Sequence, residues 1–181
     1  MQNRVKKFLA VISLNPKAFH LISGIVFLIL AVITLRAILV GDALYVYRDD
    51  TWPTNLGHLI SDSLNTFDLE ATRRLLYLAP FFALSNVLGH SSLLAEKSLF
   101  IFTRFIIGFL PYLVTYKFLS SKLGDTHKNR IFAVSLIAGF FYAYNPFITE
   151  KFGAAVVGFP ISYALIPLIF YYFDTSTTGC L

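Results

Sequence analysis

Charge is scarce in this chain, because only 14% of its 181 residues are Asp, Glu, Lys or Arg, whereas 56% are hydrophobic. Soluble globular proteins average about 25% charged residues. The composition, with a mean hydropathy of +0.68, therefore argues against a water-soluble fold. Cysteine is nearly absent as well. Cys180 is the only one, which excludes an intrachain disulfide and a metal site built from several thiolates.

Motifs of the common soluble enzymes are also missing. The chain has no glycine-rich phosphate loop, no His-Glu-x-x-His sequence, no nucleophile elbow and no Cys-x-x-Cys pair. Its net charge is +5, but the basic residues flank apolar runs and form no cluster of their own. That arrangement is typical of membrane proteins and does not indicate nucleic-acid binding.

What the chain does have is long apolar runs. The run at 19–40, FHLISGIVFLILAVITLRAILV, contains a single charged residue. At about 1.5 Å per residue, a helix of this length measures roughly 33 Å, enough to cross a hydrocarbon layer of about 30 Å. Runs at 98–119, 131–148 and 156–173 reach or approach the same length. We therefore predict an all-α, polytopic membrane protein, a single domain over 1–181 with four transmembrane helices.

The basic segments predict the orientation of these spans. Basic residues outnumber acidic ones in both 1–18 and 120–130, so both segments are expected in the cytoplasm, with an even number of spans between them. The run at 75–89 is short and contains Pro80. We predict a re-entrant or juxtamembrane helix there, within an outer loop at 41–97. The alternative, a further span at 75–89, would place 120–130 outside, against its charge.

Three smaller features of the sequence complete the predicted architecture. Apolar residues at spacings of three and four predict an amphipathic helix at 55–67, lying on the membrane surface or packing over the bundle end. Glu96 and Lys97 are expected at a solvated helix start. Aromatic residues crowd the second half of the chain, and an aromatic belt at the membrane interface explains them better than a stacking platform.

The polar residues directly after the first run are the first candidate site. Asp42, Arg48, Asp49 and Asp50 lie within GDALYVYRDD. Carboxylates at an outer membrane face can bind Mg²⁺ or Mn²⁺ that bridges a lipid-linked phosphate, or accept a proton from a hydroxyl. Arg48 would then contact the phosphate or act as a counter-ion. Paired aspartates also occur in ordinary solvated loops, so both interpretations stay open.

Two further positions carry polar groups next to apolar runs. Arg104 lies within the run at 98–119, where a charge is costly unless it snorkels to the surface or contacts an anionic lipid headgroup. The segment YNPFITEKFG contains Asn145, Glu150 and Pro146, and Pro146 frees a backbone carbonyl. This segment is either a polar part of the site or a helix-breaking turn.

These features together resemble a known family. A first span, an acidic motif early in the outer loop (YRDDTWP), surface helices, and a later NPF turn with TEKFG and PISYALIPL resemble the N-terminal part of integral-membrane glycosyltransferases of the GT-C type. The pattern resembles especially the large arabinofuranosyltransferase-like and YfhO-like prokaryotic membrane proteins. The resemblance implies sugar transfer from a polyprenyl-phosphate donor, with Asp49 or Asp50 as catalytic base or metal ligand.

Such enzymes have about twice the number of spans predicted here, so we expect this chain to be a fragment, a split subunit or a degenerate copy. The alternative is a non-catalytic small subunit of a membrane complex or transporter, in which Gly139, Gly153 and Gly158 allow close helix contacts. The expected partners are membrane lipids, a lipid-linked sugar and a partner membrane subunit. The expected location is a prokaryotic plasma membrane with the N-terminus in the cytoplasm.

Overall fold

The computed structural model describes residues 16–40, 55–66, 69–88, 92–124, 127–153 and 158–178, and these ranges are helical with no strand. The predicted all-α class is therefore confirmed for the described part of the chain. Its helices are α1 (Pro16–Thr34), α2 (Arg36–Val40), α3 (Leu56–Thr66), α4 (Leu69–Val87), α5 (Ser92–Leu123), α6 (Lys128–Ala143), α7 (Pro146–Gly153) and α8 (Gly158–Thr178).

The 32-residue helix α5 is the centre of the bundle. It is about 48 Å long at the usual rise per residue, and α1, α4, α6 and α8 all pack against it. Two apolar clusters follow one another along α5. One gathers around Tyr112 and Ile131, and the other around Ile107 and Ala164. Burial of these side chains, more than helix propensity, holds helices of such composition in place.

Helix α1 runs antiparallel to α5, and so does α6. At one end, Phe19 of α1 stacks on Phe132 of α6 with 4.6 Å between ring centroids and lies 6.5 Å from the Tyr116 ring of α5. At the other end, Lys97 near the start of α5 donates to the Leu39 carbonyl of α2 at 2.8 Å. The start of α1, the end of α5 and the start of α6 therefore meet at one end of the bundle.

We call this end the basic end, since exposed cations surround it. The opposite end, where α2, the start of α5 and the turn between α6 and α7 lie, is the junction end. The exposed cations of the basic end are Lys17, Lys117, Lys122 and Arg130.

Two glycines let three helices approach closely near the middle of α5. A Cβ added to Gly139 of α6 would lie 2.5 Å from the Gly108 carbonyl oxygen and 2.6 Å from Phe27 Cζ. A Cβ on Gly108 would meet the Phe27 ring at 2.5 Å. The Phe27 ring of α1 therefore fills the space that two absent side chains leave between α5 and α6. This is the role predicted for Gly139, here within the chain itself.

Helix α3 and helix α4 form a separate layer at the junction end. Asn55 caps α3 by accepting a hydrogen bond from the His58 N–H at 2.8 Å. Leu59 of α3 packs with Leu78 of α4 and Leu99 of α5 in one apolar cluster. The amphipathic helix predicted at 55–67 is confirmed as Leu56–Thr66. Its buried face contacts the bundle, as the packing interpretation expected.

The predicted spans have different boundaries in the structure. The run at 19–40 is interrupted at Leu35, between α1 and α2. The run at 131–148 is interrupted at Tyr144 and Asn145, because a residue before proline disfavours the helical conformation and Asn145 starts a new helix. The helix predicted at 98–119 is longer, Ser92–Leu123.

Within the described ranges, two helices are long and apolar enough to cross a membrane, at Lys17–Thr34 and Leu93–Leu123. This is fewer than the predicted four. The apolar helices Leu75–Val87 and Pro160–Phe173 are shorter. Two such helices are weak evidence for a membrane protein, since the core helix of a soluble protein and a signal sequence pass the same test.

Large apolar side chains nevertheless cover much of the outer surface of α1, α6 and α8. On α1 they recur at spacings of three and four, so they form one continuous face. The exposed residues are Leu21, Ile25, Leu28, Ile29, Val32 and Ile33 of α1, Val134, Ile137 and Phe141 of α6, and Leu165, Ile166, Ile169, Phe170, Tyr172 and Phe173 of α8.

Candidate functional site

The candidate residues identified from the sequence fall into two groups. Asp42, Arg48, Asp49 and Asp50, including the proposed Mg²⁺ or Mn²⁺ ligands, lie outside the described residues. The others lie on described helices or turns at the junction end: Arg104, Asn145 and Glu150.

Arg104 lies inside the bundle. Only 3% of its surface is exposed, and its guanidinium carbon sits 4.4 Å from the centre of the Tyr144 ring. An arginine in this position is attracted to the negative face of the ring, which offsets part of the cost of burying its charge. The N–H donors of a guanidinium point outward in the plane of the group, the geometry that binds phosphate or carboxylate.

The Tyr144 ring, at the end of α6, is held by α1 and by its own helix. Its hydroxyl lies 3.0 Å from Thr34 Oγ1 at the end of α1, and its ring stacks on Phe140 one turn earlier in α6. Its backbone N–H closes the last turn of α6 by bonding to the Phe140 carbonyl at 2.9 Å. The ring that receives Arg104 from α5 is therefore fixed by both α1 and α6.

Asn145 is next in the chain and fixes the turn into α7. Its side-chain Nδ2 donates to the Tyr142 carbonyl at 2.8 Å and to the Tyr163 hydroxyl at 3.0 Å. Its Oδ1 accepts from the Ile148 N–H at 3.0 Å, so it also caps α7. One amide thus connects the end of α6, the start of α7 and the side of α8.

A pair of tyrosines strengthens the same connection. Tyr142 and Tyr163 stack with 4.2 Å between ring centroids, and the Tyr142 hydroxyl donates to the Tyr163 carbonyl at 2.9 Å. Both belong to the aromatic residues that the sequence assigned to an interfacial belt, but here they pair across two helices. We call Arg104, Tyr142, Tyr144, Asn145 and Tyr163 the polar junction.

The polar junction brings together two candidate site residues that are far apart in sequence, Arg104 and Asn145. Arg104 contacts Tyr144, the residue before Asn145. Glu150 lies on α7, the helix that Asn145 caps, and is exposed. The sequence did not point to Tyr144 as the partner of Arg104, because that pairing depends on how α5 and α6 are aligned along their axes.

Further polar residues are buried on α5 toward the same end. Glu96 is 1% exposed and Thr103 is fully buried. They are seven positions apart, so they share one face of the helix, about 10 Å apart along its axis. The predicted solvated helix start is wrong for Glu96, which is buried, and Lys97 is half-buried and bound to Leu39. Thr103 Oγ1 has no hydrogen-bond partner among the described residues.

No group of three or more His, Cys, Asp or Glu side chains comes together among the described residues. Comparison of the chain with protein-family models, with curated proteins and with solved structures gave no match. The polar junction, which contains the buried cation Arg104, is therefore the candidate functional site among the described residues.

Proposed function

We propose that this chain is an integral-membrane helical bundle in which α1, α5, α6 and α8 cross the bilayer. The exposed apolar faces of α1, α6 and α8 support this, because soluble proteins rarely leave contiguous apolar surface of this size in water. The basic end lies in the cytoplasm under the positive-inside rule, and the junction end lies on the outer side. A prokaryotic plasma membrane is the proposed location.

Cysteine labelling in intact cells tests this orientation. In a Cys180→Ser background, Asn129→Cys probes an exposed position at the basic end and Thr149→Cys an exposed position at the junction end. A membrane-impermeant maleimide should label Thr149→Cys in intact cells and Asn129→Cys only after lysis. Labelling of both before lysis, or release of the chain from membranes by alkaline carbonate, would contradict the proposal.

Within this bundle, we propose that the junction end binds the phosphate of a polyprenyl-phosphate-linked sugar, as part of a glycosyltransferase of the GT-C type. The observation that carries the proposal is the buried Arg104 guanidinium on the Tyr144 ring. A buried arginine at membrane depth is costly, so its retention favours a functional role, and arginine suits bidentate phosphate binding. Arg48 is proposed as a second phosphate contact.

The chemistry itself is proposed for Asp49 and Asp50, with Asp42 as a weaker candidate. One carboxylate would remove the proton from the acceptor hydroxyl as the sugar is transferred. If Mg²⁺ or Mn²⁺ is used, the same aspartates are the proposed ligands, since hard cations prefer carboxylate oxygens. Asn145 and Glu150 are secondary candidates for contacts to the sugar.

Sugar transfer from a polyprenyl-phosphate donor in native membranes tests these assignments. Asp49→Asn and Asp50→Asn should abolish transfer without reducing membrane insertion, and Arg104→Gln should reduce it because the phosphate contact is lost. Arg36→Gln is the matched control, an exposed arginine on α2. Transfer at the normal rate in both aspartate variants would contradict the catalytic assignment.

The second candidate function is a non-catalytic subunit of a membrane complex or transporter. The exposed face of α8, which includes Phe170 and Phe173, favours it, because a partner helix could cover that face instead of lipid. Affinity purification in mild detergent distinguishes the two proposed functions. A stoichiometric membrane partner, together with normal function after Asp49→Asn and Asp50→Asn, would favour the subunit.

A further inference from the structure

An apolar groove lies between α5 and α8 in the half of the bundle nearer the basic end. Its volume is about 360 Å³. Two of its lining residues, Val114 and Phe118, are on α5, and the other three, Pro167, Phe170 and Tyr171, are on α8. Phe118 and Phe170 are both exposed, so the groove opens to the outside of the bundle.

A cation continues the α5 wall of this groove. Val114, Phe118 and Lys122 follow one another at intervals of four residues, so they lie on one stripe of the helix. Lys122 Nζ is 5.9 Å from the centre of the Phe118 ring. The groove thus runs about 12 Å along α5 from an apolar part to an ammonium group at the basic end.

Positive charge predominates at the basic end among the described residues. Lys117, Lys122, Lys128 and Arg130 lie at the basic end, and Asp174, one turn beyond Phe170 on α8, is the acidic residue among the described residues there. An apolar groove that ends at ammonium groups matches a ligand with a hydrocarbon chain and an anionic headgroup. Lysines near a membrane surface attract anionic lipids in this way.

We infer that this groove binds one acyl chain of an anionic phospholipid, with Lys122 contacting the headgroup phosphate. The inference rests on the proposed membrane integration of the chain but not on the proposed sugar transfer. The site is distinct from the polar junction, which lies on the other side of Gly108 along α5. The bound lipid would fill the gap between α5 and α8 and anchor the cytoplasmic side of the bundle.

The test places the full chain in nanodiscs of equal parts phosphatidylglycerol and phosphatidylcholine. The chain is then released from the nanodiscs in a native mass spectrometer, and the lipids that it retains are counted. The wild-type chain should retain phosphatidylglycerol preferentially. Lys122→Gln should reduce the preference about five-fold, as expected for loss of one cation near the surface. Val114→Trp, which fills the groove, should reduce retention of both lipids. Arg36→Gln, at the junction end, should leave retention unchanged.

Equal retention by the wild type, Lys122→Gln and Val114→Trp would overturn the inference. A change of oligomeric state in Val114→Trp, with no lipid preference in the wild type, would also overturn it and assign the groove to a second copy. A chain that does not enter nanodiscs at all would contradict the proposed membrane integration as well. Loss of lipid preference in a chain that still inserts would contradict the lipid site alone.

Discussion

The two halves of the bundle, on either side of Gly108, place their polar groups differently. Toward the basic end, the buried hydroxyls of Ser23 and Ser135 bond to carbonyls of their own helices. Charge there stays on the surface, and His20 of α1 and Tyr112 of α5 form an inter-helix bond at 3.1 Å. The packing of this half is therefore apolar and aromatic.

In the junction half, polar side chains bond from one helix to another. Tyr144 reaches Thr34, Asn145 reaches Tyr163, and Lys97 reaches Leu39. Arg104 and Glu96 are buried in the same half. Directional bonds fix helix positions more narrowly than apolar contact does. The difference indicates that the basic half supplies cohesion, whereas the junction half holds a defined arrangement of polar groups.

The largest expected loss of stability comes from substituting the glycine that lies between the two halves. Gly139→Ala should destabilise the protein by about 3 kcal/mol, since the new Cβ would meet backbone and the Phe27 ring at once. Gly24→Ala is the matched control. Its Cβ would lie 3.7 Å from Phe109 Cε2, an ordinary contact, and alanine favours helix. Unfolding in mixed micelles, followed by circular dichroism, measures both. Equal stability of the two variants would contradict the packing described here.

In the junction half, Tyr144→Leu should cost about 2 kcal/mol, because it removes the ring beneath Arg104 and the bond to Thr34. Tyr144→Phe keeps the ring and loses only the hydroxyl. The same unfolding measurement should show it close to wild type, within about 1 kcal/mol. If both variants lose the same stability, the Arg104–ring contact contributes little.

The next effect concerns the turn that follows α6. Asn145→Ala should destabilise the protein by about 1.5 kcal/mol, since it removes bonds to Tyr142, Tyr163 and the N–H of Ile148. Asn65→Ala is the control, because Asn65 is exposed on α3 and its side chain bonds to Ser61 at 3.2 Å. Hydrogen exchange should also speed up in α7 for Asn145→Ala. Unchanged exchange there would argue against the capping role.

The smallest expected change in stability distinguishes a half-buried lysine from an exposed one. Lys97→Met should cost about 1 kcal/mol through loss of the bond to the Leu39 carbonyl. Lys117→Met changes an exposed lysine at the basic end and should be close to neutral. Unfolding by guanidinium or detergent titration measures the stability of both variants. A larger loss of stability for Lys117→Met than for Lys97→Met would contradict the difference described between the two halves.

Some of this architecture follows from the sequence. Apolar runs and proline positions predict the helical class, and periodicity predicts a helix at 55–67, which is observed as α3 (Leu56–Thr66). The charge of the segments at 1–18 and 120–130 predicts that both lie at the same end. The structure brings Lys17 and Arg130 to one end of the bundle, in agreement with that part of the prediction.

Other features depend on contacts between helices and are not readable from periodicity. The sequence offers a helix-breaking turn at YNPFITEKFG as one interpretation, but the capping role of Asn145 requires its side chain to turn toward Ile148. Glu96 looks like a solvated helix start in sequence but is buried, since α4 and α5 pack there. The Arg104–Tyr144 contact depends on the axial alignment of α5 and α6. The axial alignment of two helices is set by side-chain packing on both of their surfaces. The hydrophobic pattern of one helix alone therefore does not predict it.

The most direct test of the central claim is the binding of a polyprenyl monophosphate to the purified chain in micelles, measured by native mass spectrometry. Wild type and the Arg36→Gln control should bind it equally, whereas Arg104→Gln should bind it about tenfold more weakly, as expected for loss of a charge-assisted contact. Equal binding by Arg104→Gln and wild type would contradict the claim that the buried arginine of the polar junction holds a lipid-linked phosphate.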